Sequence, residues 1–94
     1  MRVRSIAYRG LRRLYEENSS KGLGADIVDK LRKMLTFLDA MEGPEELRAL
    51  PTWKVHVLTG DRKGTWSLHV TRNWRMRFRV QDDEIIDLNL EDYH

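Results

Sequence analysis

The apolar positions of this chain change their period near its middle. In the first half they recur every three or four residues, as on one face of a helix. Ala7, Leu11, Leu14 and Tyr15 follow this spacing and predict a helix over 8–17, with Arg9, Arg12 and Arg13 on its remaining surface. Leu23, Ile27, Leu31, Met34, Leu35, Leu38 and Met41 draw a longer stripe and predict a second helix over 25–41. Asp26 near its start favours the helix dipole, and Gly43-Pro44 ends it. The intervening 18–24 is a loop by composition. Residues 44–50 suit one more turn, with Pro44 at the first helical position and Pro51 closing it. Val3 to Ala7 is short and apolar enough for an opening strand.

From Trp53 onward the period is two. Trp53, Val55 and Val57 oppose Lys54, His56 and Leu58. Trp66, Leu68 and Val70 oppose Ser67, His69 and Thr71. Trp74, Met76, Phe78 and Val80 oppose Arg75, Arg77 and Arg79, and Ile86, Leu88 and Leu90 oppose Asp87, Asn89 and Glu91. Short turns at 59–65, 72–73 and 81–84 join four such strands into an antiparallel meander, apolar on one face. The expected architecture is α+β: two N-terminal helices packed on one face of a mainly antiparallel sheet of four to five strands, in a single domain over 1–94.

Composition then narrows the chemistry. The chain has no cysteine, so disulfides, thiolate metal sites and thiol catalysis are out of reach. The first residues lack the apolar core of a secretory signal, and no apolar run approaches membrane-spanning length, so a cytoplasmic protein with no membrane partner is expected. The net charge of +2 conceals a segregation. Asp82, Asp83, Glu84, Asp87, Glu91 and Asp92 lie together near the end with no base among them, while the preceding residues hold 17 basic and nine acidic side chains. Residues 62–79 carry six basic side chains and no acid. Such a pattern suits a polyanion or an acidic protein partner; a solvated surface balanced by its own acidic strand is the other reading.

With the helices on the apolar face, the alternation leaves Lys54, His56, Ser67, His69, Arg75 and Arg77 on the open one. Arg79, Asp87, Asn89 and Glu91 join them there. The plainer reading is a wet surface with cross-strand Arg–carboxylate pairs, above all for Arg77 and Arg79 beside Asp87 and Asn89. The sharper reading is RNA cleavage through the 2′-hydroxyl. That reaction needs a base, an acid and cations on the phosphorane, roles that His and Arg fill near neutral pH. Metal catalysis is poorly served, because His56, His69 and His94 show no metal-ligand spacing. No phosphate-cradling Gly-rich loop and no Gly-x-Ser-x-Gly elbow occur. Neither metal nor other cofactor is therefore expected. Asp92, Tyr93 and His94 follow the last strand directly, as though it delivered them to a site that further residues would obstruct; covering an edge of the core is the alternative.

The Leu47-Arg48 pair before a Pro loop, His56-x-Leu58-x-Gly60, Gly64-x-Trp66-Ser67, Asn73-x-Arg75 and the closing Asp92-Tyr93-His94 together resemble the HigB toxins, a branch of the RelE superfamily of toxin–antitoxin systems. The specific motifs lie in 46–94; the helical half matches in layout. The resemblance implies an endoribonuclease that cuts mRNA in the ribosomal A site without metal. It also implies a helix-turn-helix antitoxin of the HigA type that holds the toxin inactive and mediates any contact with operator DNA. Carried over by position, His56, Arg75, Asp92, Tyr93 and His94 form the active-site set. His94 would transfer protons, Asp92 orient or tune it, Tyr93 stack on or position a base, and Arg75 hold the scissile phosphate. His56 would be a second proton-transfer or phosphate group. The pattern departs at Thr59, where relatives commonly carry Lys before the glycine. Lys54, Arg62 or Lys63 are candidates to replace that cation, with Arg77 a further substrate-binding residue. The same departure keeps open a weakly active RNA- or ribosome-binding module that serves mainly as a corepressor with its antitoxin.

Overall fold

The computed structural model describes residues 1–93. Helices α1 (Arg9–Glu17) and α2 (Ala25–Ala40) come first, followed by short 3-10 segments at Pro44–Ala49 and Pro51–Trp53. Strands β1 (His56–Val57), β2 (Trp66–His69), β3 (Trp74–Gln81) and β4 (Glu84–Asp92) form one antiparallel sheet in sequence order. Asn18 ends α1 by entering the left-handed region (φ 55°), a conformation that Asn tolerates, and its N–H returns to the Leu14 carbonyl. The apolar stripe of α2 is buried as its spacing predicts, from Ile27 through Leu31, Met34, Leu35 and Leu38. Leu11 and Leu14 of α1 and Leu47 of the 3-10 segment join the same core.

The sheet contributes Leu68, Met76, Phe78, Ile85, Leu88 and Leu90 to that core, and Val70, just past the end of β2, joins them. The expected opening strand is present as two parallel bridges to β4, Val3 with Ile85 and Ile6 with Leu88. They are held by the Arg4 N–H on the Ile85 carbonyl (2.8 Å) and the Ala7 N–H on the Leu88 carbonyl (2.7 Å). Between them β4 bulges at Asp87, whose φ is 54°, and the Asp87 N–H donates to the Ser5 hydroxyl at 2.8 Å. The bulge corrects the expected alternation. Pairing shifts between Arg77 and Arg79, so that Val80 meets Ile85 and Arg79 meets Ile86. Ile85, not Ile86, therefore lies in the core with Leu88 and Leu90.

The first strand is also shorter than its alternation suggests. Pro51 opens a 3-10 turn, Lys54 takes a left-handed conformation (φ 45°), and only His56 and Val57 pair with β2. Trp53 instead packs edge-on against Phe37 of α2. The β1–β2 connection turns at Gly60 (φ 73°) and Gly64 (φ 88°), conformations that side chains with a Cβ rarely adopt. Asp82 and Asp83, both at positive φ (53° and 61°), make the two-residue turn between β3 and β4. No helix is long and apolar enough to cross a membrane among the described residues.

Candidate active site

Antiparallel pairing places opposed residues on the same face, and the register builds two rows on the open side of the sheet. His56 lies opposite Ser67, Ser67 opposite Arg77, and Arg77 opposite Asn89. One step along, His69 lies opposite Arg75 and Arg75 opposite Glu91. The alternation read from the sequence thus puts these polar side chains together.

Arg75 is the most constrained of them. Its Nη1 donates to the carbonyl oxygens of Thr71 (2.7 Å), Trp74 (3.1 Å) and Arg72 (3.4 Å), closing the β2–β3 turn. Its guanidinium carbon lies 4.0 Å from the centroid of the Tyr93 ring, within cation–π range. Tyr93 reaches this position because its N–H donates to the Asn73 carbonyl at 2.7 Å, clamping the segment after β4 onto the turn before β3. At 55% exposure Tyr93 does not cover the core. Asp92 is exposed opposite Trp74, one residue before the stack. His94 lies outside the described residues.

Hollows run along this face. One, of about 490 Å³, is lined by Lys54, His56, His69 and Arg75, with Arg77 and Tyr93 at its borders. A second, of about 520 Å³, continues past the Arg75–Tyr93 stack to Arg72 and Asn73. A third, of about 400 Å³, lies beyond Arg77 and includes Arg62, Lys63, Arg79 and Asp87. His69, Arg75 and Tyr93 border both of the first two, and Arg77 borders the first and third. The hollows form one largely cationic track.

The expected binding cations fall into two groups. Lys54 shares a hollow with His56, whereas Arg62 and Lys63 line the hollow on the other side of Arg77. Arg62 is also engaged: its Nη1 and Nη2 make a two-pronged contact with Glu91 at 2.7 and 2.6 Å. Arg77 donates from Nη1 to the same carboxylate at 2.9 Å and from Nε to the buried Ser67 hydroxyl at 3.1 Å. The partner of Arg77 is thus the diagonal Glu91, rather than the Asp87 or Asn89 expected from adjacency. Hydrogen bonds from Arg62 lead in holding the Glu91 carboxyl down at about 2, with Arg77 adding to them against the cost of burial. Thr59 is exposed at the head of the turn that carries Arg62.

His69 belongs to the constellation although it was not among the residues the resemblance selected. The signal was available, since it alternates onto the same face as His56 and Arg75. Its imidazole is pushed below the usual value, first by desolvation and then by the charges of Arg75, Lys54 and Lys30. Among the described residues no cluster of three or more His, Asp or Glu side chains is placed to hold a metal ion. What the track can do without one is bind a phosphodiester chain, stack a base and move protons at neutral pH.

Comparison with known proteins points the same way. Residues 4–94 match the family described as RelE-like toxin of type II toxin-antitoxin system HigB. The protein named Endoribonuclease HigB from Proteus vulgaris is 36% identical over 92 residues, spanning 98% of this chain and 99% of that protein. Among solved structures, the YoeB/ParE toxin from Agrobacterium tumefaciens superposes with a TM-score of 0.59 at 18% identity, over the full length of both chains. YafQ from E. coli gives a TM-score of 0.58 at 18% identity, covering 98% of this chain and 93% of that one. The YoeB-YefM complex from Staphylococcus aureus gives 0.57 at 18% identity, covering 100% and 99%. These structural likenesses concern the fold.

Proposed function

The chain belongs to the HigB-like family of RelE-like toxins of type II toxin–antitoxin systems, and on that premise we propose that it is an endoribonuclease that cuts mRNA in the ribosomal A site. Residues 1–94 act as one toxin domain in the cytoplasm. Cleavage proceeds by attack of a ribose 2′-hydroxyl on the adjacent phosphate. No metal is needed, because proton transfer and charge stabilisation come from side chains.

The observation that carries this reading is the Arg75–Tyr93 stack at the junction of two cationic hollows. Arg75 holds the scissile phosphate through a forked donor whose orientation the turn carbonyls fix. Tyr93 offers its exposed face to a base. His94 transfers a proton, with Asp92 orienting it, and His56 is a second phosphate or proton-transfer group. Lys54, in the same hollow as His56 and Arg75, supplies the cation that Thr59 lacks. Arg62 and Lys63 bind the RNA chain farther along, beyond Arg77. A HigA-type helix-turn-helix antitoxin is the partner that silences the toxin, and operator DNA is reached only through it.

A second reading has its own support. Thr59 is neutral, and Glu91 occupies both Arg62 and Arg77, which suits a ribosome- or RNA-binding module acting mainly as a corepressor. Purified translating ribosomes separate the two. Cleavage of A-site mRNA that requires Arg75 and Tyr93 is expected; tight binding without cleavage would favour the second reading.

A further inference from the structure

The proposed chemistry assigns no task to His69, yet this imidazole is centrally placed on the track. It lies directly across from Arg75, the residue assigned to the scissile phosphate. It is diagonal to His56, whose own partner, Ser67, lies two positions earlier on β2; such diagonal neighbours stand about 7–8 Å apart. It borders both hollows that meet at the Arg75–Tyr93 stack. With Arg75 and Tyr93, it is one of the three side chains at which the two hollows meet.

Its surroundings also decide its charge. Arg75 faces it from β3 and Lys54 from the segment before β1, while Lys30 acts on it from α2. His56 of β1 and the phenol of Tyr93 share the hollow with it. Partial burial and these cations favour the neutral ring, so the usual value is lowered. A neutral imidazole beside a fixed guanidinium is a proton acceptor next to a phosphate site.

We propose that His69 is the general base of the cleavage step, a role that rests on the RNA-cleavage reading above. One of its ring nitrogens takes the proton of the 2′-hydroxyl on the nucleotide whose 3′-phosphate Arg75 holds. The 2′-oxygen forms a bond to phosphorus, and the bond from phosphorus to the 5′-oxygen breaks. That oxygen keeps the electron pair and accepts a proton from a separate acid, the role given to His94. The products are a 2′,3′-cyclic phosphate and a 5′-hydroxyl end. The imidazolium then returns its proton to water.

The test is single-turnover cleavage of mRNA on translating ribosomes across pH, with the full chain and with His69→Gln and His69→Ala. Both variants should cleave about a hundredfold more slowly or worse, with the acid limb of the rate profile lost and ribosome affinity held within about threefold. Cleavage by both within about threefold of the parent, with the acid limb intact, overturns the role of His69 alone. Failure of the parent chain to cleave overturns the RNA-cleavage reading itself. If the variants do not fold, the parent decides through kcat/KM, which reports the free protein. An acid limb is expected there, displaced downward from the ordinary imidazole value, and a profile with no acid limb overturns the proposal.

Discussion

The Arg75 guanidinium carbon sits 4.0 Å from the centroid of the Tyr93 ring while its Nη1 binds the carbonyls of Thr71 and Trp74. One side chain therefore closes the β2–β3 turn and presents a cation to the groove. Arg75→Ala should abolish cleavage and also cost about 1–2 kcal/mol of stability, from the lost charge-assisted hydrogen bonds. Arg75→Lys should restore part of the stability but little of the activity, because an ammonium lacks the planar fork. Denaturant unfolding beside the cleavage assay checks both; full activity of Arg75→Lys would contradict the forked phosphate contact.

Glu91 ties together Arg62 and Arg77, and its carboxyl is held at about 2 against an ordinary 4.5. A depressed folded value means that its stabilisation is present above about pH 4.5 and is lost as pH falls from there toward 2. Glu91→Gln should lower stability at neutral pH by about 1 kcal/mol, modest because Arg62 is half exposed. It should also flatten the acid side of the stability profile. Equilibrium unfolding across pH measures both, and an unchanged acid side would contradict the pairing.

Freeing two arginines should also change binding. Glu91→Gln should bind ribosomes more tightly than the parent, with a steeper fall in affinity as salt rises, since more phosphates are neutralised. Titrations at several salt concentrations give the slopes. A flat dependence for both proteins would argue against an electrostatic RNA track.

Phe78 is fully buried and stacked on Trp66, with ring centroids 6.3 Å apart. Phe78→Ala should cost about 3–5 kcal/mol. Trp74, on the same face but only partly buried beside Tyr8, should cost less, roughly 2 kcal/mol. Thermal and denaturant melts of the two variants check the order, and a reversed order would contradict the packing.

The helices and the core face of β3 were legible in the sequence because each depends on a period that neighbouring residues repeat. Met76 and Phe78 went inward and Arg75 and Arg77 outward as their alternation required. The errors lie where one backbone conformation breaks a period. The left-handed Asp87 moved Ile85 into the core in place of Ile86, and Lys54 shortened β1. The choice of Glu91 over Asp87 as the partner of Arg77 depended on a diagonal contact that strand adjacency does not specify. Tyr93 reached Arg75 through the clamp on Asn73, a contact between the two ends of a hairpin that no local pattern encodes. The resemblance supplied that pairing of motifs but does not include His69, which alternation alone places on the same face as Arg75.

We assign the cutting of mRNA during translation to the groove around Arg75 and Tyr93. The most direct test maps mRNA 5′ ends across a transcriptome after brief expression of the chain without antitoxin. The same map is made for Arg75→Ala and for a chain ending at Tyr93. New ends in phase with codons, present for the parent and absent from both variants, are the expected result. Growth arrest without new ends, or new ends that persist in Arg75→Ala, would contradict it.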